Sequence, residues 1–556
     1  MKAALAFAFG MLVLTIPTSG NTSVGTEGAV SSRSMLATNV GLEVLQDGGN
    51  AVDAAVATAF ALAVTYPAAG NIGGGGFMVI HLPDGTVVTN DHRERAPMKA
   101  SRDMFLVEGE YAAELALASH LSSGVPGSVH GLLSALERYG KMDRARVLAP
   151  AINLAENGFA LPEDIARRIA LRKDTWSRHP SSAKVFLKMD GSTYDPNENF
   201  AQPDLALTLR RISAEGVAGF YKGETAKMIV QQMATNDGLI SEQDLANYSS
   251  EWRSPIKGSY KDYEIYSMPP PSSGGVLLVQ MLNMLESMNL SQYGFGSVET
   301  MHAMIEVERR AYADRSQHLG DSDFYPVPIE TLISKAYAKE RIADFDPTKA
   351  STSADTSFGQ IPLESEETTH LSVYQKDGFA VSLTTTINTG YGSGIVVEGA
   401  GFLLNNEMDD FSAKPGTPNV FGLVGAEANA IEPGKRMLSS MTPTIVKKDG
   451  DVVLVTGTPG GSTIITSILQ VVLNVIEHGQ TIEQSVASPR FHHQWLPDFI
   501  SMENGFDESV IDRLKERGHI NWHSRPVIGD VNQIGVADTK IIAVSDPRNA
   551  GSAAAY

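Results

Sequence analysis

Thr368 opens a Thr368-Thr369-His370 run directly behind the acidic stretch Glu364-Ser365-Glu366-Glu367. A threonine hydroxyl is a weak nucleophile unless a base stands beside it. The α-amine of an N-terminal threonine is such a base, titrating near roughly 7.7–8.0. Residues 346–367 are rich in serine, threonine and acidic side chains and show little periodicity, the composition of an exposed linker and a sensible place for a cut. This layout is the one expected of an enzyme that severs itself before Thr368 and then uses the new terminus as nucleophile.

Other residues offer complementary chemistry. Arg93, in Asp91-His92-Arg93-Glu94-Arg95, follows a predicted strand and has the fork to clamp a carboxylate, although a surface ion pair is the plainer explanation. Ser439-Ser440 offers hydroxyl donors for the same carboxylate, or is an unremarkable loop. Glu407 and Asp410, three apart, suit an ammonium group; an ordinary turn explains them equally well. The Gly460-Gly461-Ser462 turn precedes an apolar helix, so its backbone N–H groups suit an oxyanion or simply close a tight turn. It lacks the phosphate-loop lysine pattern, which argues against a nucleotide. His492-His493 lies on a predicted strand, where neighbours face opposite ways, so a structural role is expected and no metal.

The elements that must position these residues follow from the apolar pattern. A three-residue loop Lys376-Asp377-Gly378 pairs Val373 with Val381 and Leu371 with Leu383 on one face. The other face then carries Thr368, His370 and Ser372 opposite Thr386, Thr384 and Ser382, with Asn388 two residues beyond Thr386. A two-residue loop would mix the faces, because a slip of one residue flips every side chain. A half-exposed hairpin with threonines suited to its pleat is the bland alternative.

Residues 51–65 read as a buried helix, and 70–76 as a glycine loop leading into a hairpin at 77–90. Residues 125–345 look mostly helical. A second hairpin is expected at 444–456 around a Lys448-Asp449-Gly450 turn, followed by a helix over about 463–477. Strands followed by helices point to layered α/β packing.

With 556 residues, 42% hydrophobic and 19% charged, the chain is globular. A net charge of −20 argues against nucleic acid or an anionic membrane as main partner. Cysteine is absent, which excludes a thiol nucleophile and any disulfide. Met1-Lys2, the apolar run 3–16 and Pro17-Thr18-Ser19-Gly20 read as a secretory signal over residues 1–20, too short for a comfortable membrane span. A periplasmic or secreted protein is expected.

Several motifs in the same order give the chain a close resemblance to γ-glutamyltranspeptidases (glutathione hydrolases) of the N-terminal-nucleophile hydrolase superfamily. They are Asn71-Ile72-Gly73-Gly74-Gly75-Gly76-Phe77, Asp91-His92-Arg93-Glu94, Thr368-Thr369-His370, Leu403-Leu404-Asn405-Asn406-Glu407-Met408-Asp409-Asp410-Phe411, Leu438-Ser439-Ser440-Met441 and Thr458-Pro459-Gly460-Gly461-Ser462. The resemblance implies a four-layer αββα sandwich, cut between Glu367 and Thr368. A large chain 21–367 and a small chain 368–556 would stay together as a heterodimer. It further implies Thr368 as nucleophile and Thr386 as its hydrogen-bond partner, with Gly460 and Gly461 as oxyanion hole. Arg93, Ser439 and Ser440 would hold a substrate α-carboxylate; Asn388, Glu407 and Asp410 would hold its α-ammonium. The implied reaction transfers a γ-glutamyl group to water or to an acceptor amino acid or peptide, without cofactor or metal.

Two positions depart from the family pattern. Glu407 replaces a glutamine common in bacterial relatives, and Phe421 stands where the 415–425 lid loop often carries tyrosine, so looser gating is expected. A cephalosporin (glutaryl) acylase of the same fold is the alternative activity, and a periplasmic binding protein for γ-glutamyl compounds the alternative of another class.

Overall fold

A computed structural model describes residues 21–353, 368–414, 416–537 and 539–556. The expected signal segment, Glu367 and Pro415 lie outside these residues.

The chain forms two seven-stranded antiparallel sheets. The first runs in the order Ser552–Ala555, Gly28–Ser32, Thr369–Gln375, Ala380–Thr386, Gly75–His81, Val87–Asp91, Glu251–Arg253. The second runs Thr22–Gly25, Lys540–Ser545, Asn532–Ala537, Asp451–Thr456, Thr444–Lys448, Tyr263–Ser267, Ile256–Tyr260. They stack face to face over a shared core that includes Val79, Tyr374, Ile445, Val455 and Ile534. Helices cover each outer face through separate cores, so the architecture is the expected four-layer αββα sandwich. Among the described residues no helix is long and apolar enough to cross a membrane.

The central hairpin adopts the register that the apolar pattern predicts. Leu371 pairs with Leu383 and Val373 with Val381, and Gly378 closes the turn with φ of 83°, a left-handed conformation that glycine adopts without a Cβ clash. The four apolar residues enter the helix-side core, each contributing about 1.5–3 kcal/mol by its burial. The opposite, polar face is turned to the second sheet rather than to solvent. There Ser372 Oγ donates to the Asn532 carbonyl at 2.9 Å and Ser382 Oγ to that of Thr456 at 2.9 Å. His370 Nδ1 meets Thr384 Oγ1 at 2.8 Å, and burial pushes the imidazole down to about 3, so it stays neutral. A slip of one residue would strand these groups in the apolar layer.

The helix Ala51–Thr65 is buried all round. Its one charged residue is accounted for locally: Asp53 accepts the N–H of Asn50 at 2.8 Å in a capping box, and those of Lys141 and Met142 at 2.9 and 3.1 Å.

Two expectations need correction. The mostly helical region contains three strands between residues 251 and 267, which form the outermost positions of both sheets. The second hairpin closes more tightly than expected: Lys448 pairs with Asp451, a register shift falls between Val446 and Lys447, and Asp449 and Gly450 both take positive φ. That is the two-residue turn whose twist suits flanking strands, and the irregularity in the ladder restores the inward face.

Candidate active site

Thr368 lies at the end of the central hairpin, 5% exposed, in a cleft of about 300 Å³. Arg93, Thr386, Asn388, Glu407, Asp410, Ser439, Ser440 and Gly461 also line this cleft, so residues from Arg93 to Gly461 in the sequence meet there. Gly460 lines a second cleft on the other side of Thr368, beside Pro459 and Asp530.

The hairpin ladder ends at the pair Thr369–Thr385, and Thr368 and Thr386 are the next residues on its two strands. Thr386 Oγ1 accepts the N–H of Asn388 at 2.8 Å, and among the described contacts no hydrogen bond joins the two threonine side chains. The expected bond is therefore not made in this continuous chain, but Thr386 retains a proton to donate. Asn71, from the glycine loop, fastens the end of the same strand. Its Nδ2 donates to Thr385 Oγ1 at 3.1 Å and to the Thr386 carbonyl at 2.9 Å, while its Oδ1 accepts from Gly74 N and Ser128 Oγ.

Arg93 is fully buried rather than a surface residue. Its fork is occupied by Glu407 on Nη1 and Asp410 on Nη2, and Nε donates to the Met437 carbonyl at 3.2 Å. Burial opposes the charge on Arg93, but Glu407, Asp410 and Glu94 outweigh it and hold its pKa above the ordinary value. One guanidinium cannot offset three buried carboxylates. Burial, against the pull of Arg93, holds Glu407 well above the carboxylate range and pushes Glu94 up to about 7.

The cleft lining offers both hydrogen-bonding senses. Asn388, held at φ of 74°, donates Nδ2 to the Asn406 carbonyl at 2.9 Å, leaving its buried Oδ1 without a partner among the described residues. Glu407 Oε2 is likewise buried and unpartnered. Ser439 Oγ accepts from Met441 N at 3.2 Å and Ser440 Oγ from Arg315 Nη2 at 3.2 Å. Each serine therefore has its proton free for the cleft.

Gly460 and Gly461 take φ of 138° and 53° just before the helix Thr463–Ile476. Their amide N–H groups have no acceptor among the described residues. A Cβ on Gly461 would lie 2.5 Å from the Phe421 ring, which roofs the turn. The lid carrying Phe421 is held without a tyrosine hydroxyl: Asn419 Nδ2 donates to Asp410 at 3.2 Å, Val420 N to Asp409 at 3.1 Å, and Gln494 Nε2 to the Phe421 carbonyl at 3.2 Å.

His492, which ends the short strand Phe491–His492, meets Thr466, and His493, just past that strand, meets Asp498. A separate group, His302, Glu306 and His519, brings three possible metal ligands within 4.8 Å. The two imidazoles already share a hydrogen bond of 2.7 Å, and Glu306 is held by Arg310 at 2.6 Å and Ser351 N at 3.1 Å. These bonds tie up most of the group's polar atoms, and His519 Nδ1 is the buried ring nitrogen of the group left without a partner among the described residues.

Sequence reasoning missed Arg315, Glu94 and Asn419 as parts of the site. Arg315 lies in the helix Val298–His318, where Glu306, Glu308, Arg309, Arg310 and Arg315 are all buried.

The γ-glutamyltranspeptidase family model matches residues 37–556. The chain is 48% identical over 527 residues to the glutathione hydrolase proenzyme of Escherichia coli (strain K12), covering 94% of this chain and 90% of that one. Among solved structures it resembles a Bacillus halodurans cephalosporin acylase with a TM-score of 0.85 at 27% identity, covering 99% of both chains. It also resembles Helicobacter pylori γ-glutamyltranspeptidase, with a TM-score of 0.57 at 45% identity over 57% of this chain and 91% of that chain. With the motifs of the cleft, the shared fold and a family match spanning nearly its whole length, the chain belongs to the γ-glutamyltranspeptidase family.

Proposed function

We propose that this protein is a self-processing γ-glutamyl hydrolase and transferase that cleaves the γ-glutamyl amide of glutathione and related compounds. The observation that carries the reading is the make-up of the cleft lining. It includes two unpartnered buried acceptors, Asn388 Oδ1 and Glu407 Oε2, and two serine hydroxyls with free protons. An α-amino acid head, with its ammonium and carboxylate, satisfies both kinds of group at once.

In this reading the chain is cut between Glu367 and Thr368, giving a large chain 21–367 and a small chain 368–556 that remain a heterodimer. The name proenzyme of the Escherichia coli relative supports such a cut. The freed α-amine of Thr368 takes the proton from its own hydroxyl as Oγ attacks the γ-carbonyl carbon. The oxyanion is received by the N–H groups of Gly460 and Gly461. Collapse breaks the C–N bond, the leaving amine takes the proton from the α-ammonium, and a γ-glutamyl ester remains on Thr368. Water or an acceptor amine then repeats the attack and releases it. Thr386 donates to Thr368 and orients it. Arg93, Ser439 and Ser440 hold the α-carboxylate, while Asn388, Glu407 and Asp410 hold the α-ammonium. Residues 1–20 act as an export signal, which places the enzyme in the periplasm or outside the cell.

The acylase likeness supplies a second reading, but a glutaryl group lacks the ammonium. Binding it would leave Asn388 Oδ1 and Glu407 Oε2 buried and unpaired, a cost of about 1–3 kcal/mol each. The deciding experiment combines intact mass and N-terminal sequencing with competition between γ-glutamyl and glutaryl anilides. Two fragments, the smaller beginning at Thr368, and preference for the γ-glutamyl substrate are expected. A stable uncut chain, or preference for glutaryl, overturns the assignment.

A further inference from the structure

We propose that Arg315 is the positioning residue that makes the serines of the cleft select a carboxylate, a role that rests on the γ-glutamyl reading of the site. Arg315 lines the cleft, is 5% exposed, and makes no ion pair among the described residues. Its contacts go instead to the two serine-bearing loops. Nη2 donates to Ser440 Oγ at 3.2 Å, and Nε donates to Ser273 Oγ at 3.0 Å. Ser273 Oγ in turn donates to the Ser439 carbonyl at 2.7 Å, so one guanidinium braces both serines.

Two physical consequences follow. A hydroxyl that accepts from a guanidinium has its own proton directed elsewhere, and for Ser440 the remaining direction is the cleft. A buried cation without a direct ion pair is also costly: burial outweighs the pull of Asp410 and lowers the pKa of Arg315 to about 10. An incoming α-carboxylate adds counter-charge. Arg93 meets the same carboxylate with its fork already shared by Glu407 and Asp410, and Arg315 sets the proton direction of the serines.

The test compares wild type, Arg315→Gln and Arg315→Lys, each first checked by mass for the cut before Thr368. Each is assayed with γ-glutamyl-p-nitroanilide and with its α-carboxamide analogue, which lacks the negative charge. Binding of L-glutamate and of its α-amide is measured by calorimetry in parallel. In Arg315→Gln, KM for the carboxylate substrate is expected to rise roughly 10- to 100-fold, as for loss of a charge-assisted contact. Its kcat should stay within about threefold and KM for the amide should not change. Arg315→Lys, which keeps the charge, should recover most of the preference. Equal losses on both substrates, or an unchanged carboxylate-to-amide ratio, would overturn the proposal. If Arg315→Gln is not cut, the ratio in Arg315→Lys and the binding preference of the uncut chain decide. A wild type that turns over neither substrate defeats the γ-glutamyl reading, while the calorimetric preference for carboxylate over amide still tests Arg315.

Discussion

Thr386 and Thr368 each lie one residue beyond the Thr369–Thr385 pair that ends the hairpin ladder, and Thr386 Oγ1 accepts the N–H of Asn388 at 2.8 Å. The acceptor side of Thr386 is therefore used locally, and its proton is the part left for Thr368. Thr386→Val, nearly isosteric but without that proton, should slow both the cut and turnover by roughly 10- to 100-fold, the scale of one oriented hydrogen bond. Gel quantification of the cut over time and a steady-state assay check this, and an unchanged rate would remove Thr386 from the machinery.

Thr368→Ala should give one chain of full length after removal of any signal, with no γ-glutamyl turnover above background. Thr368→Ser should still be cut, because serine keeps the hydroxyl and the α-amine. Intact mass separates the two outcomes.

Arg93→Ala would leave Glu407, Asp410 and Glu94 buried around a lost cation. The expected loss is about 3–5 kcal/mol of stability, seen as a lower denaturation midpoint. Arg93→Lys keeps the charge but not the fork and should recover only part of it.

Glu94 gives a defined pH dependence. Burial, opposed by Arg93, raises it from 4.5 in the unfolded reference to about 7. The native state thus holds this proton more tightly. The stabilisation is fully present below about pH 4.5 and is lost as pH rises through about 7. Glu94→Gln should flatten the thermal-midpoint profile across that window, a difference of order 3 kcal/mol between its ends. A wild-type profile that is already flat there would contradict the assignment.

The lid supplies the last prediction. Since Asn419 bonds Asp410 while Phe421 roofs Gly461, Asn419→Ala should raise KM several-fold by loosening the loop. Phe421→Tyr adds a hydroxyl near the cleft and should alter kcat or KM if gating is loose in this chain. Unchanged kinetics in Phe421→Tyr would show that the Asn419 and Val420 tethers already suffice.

The central hairpin was legible in sequence because its alternation has a period of two, so only one register buries Leu371, Val373, Val381 and Leu383 together. The second hairpin was placed correctly, but its turn was not, since an irregular ladder next to Val446 has no sequence mark. The strand Tyr263–Ser267 was overlooked although its alternating Tyr-Glu-Ile pattern was available, because the surrounding helices dominated the reading. Arg93 and Arg315 illustrate the deeper limit. Their partners lie more than 300 positions away for Arg93 and 125 for Ser440, so no local pattern could tell a buried, bonded arginine from a solvated one.

Strand order carries a consequence for the life of the molecule after a cut before Thr368. In the first sheet Gly28–Ser32 from the leading piece is wedged between Ser552–Ala555 and Thr369–Gln375 from the trailing one, and Thr22–Gly25 borders Lys540–Ser545 in the second. Neither piece owns a complete ladder, so each would present raw strand edges if parted. A protein severed there would consequently be a woven object, assembled while still one thread. Once unravelled by denaturant, its halves face a second-order search for each other, with yield falling on dilution and aggregation as the competing fate.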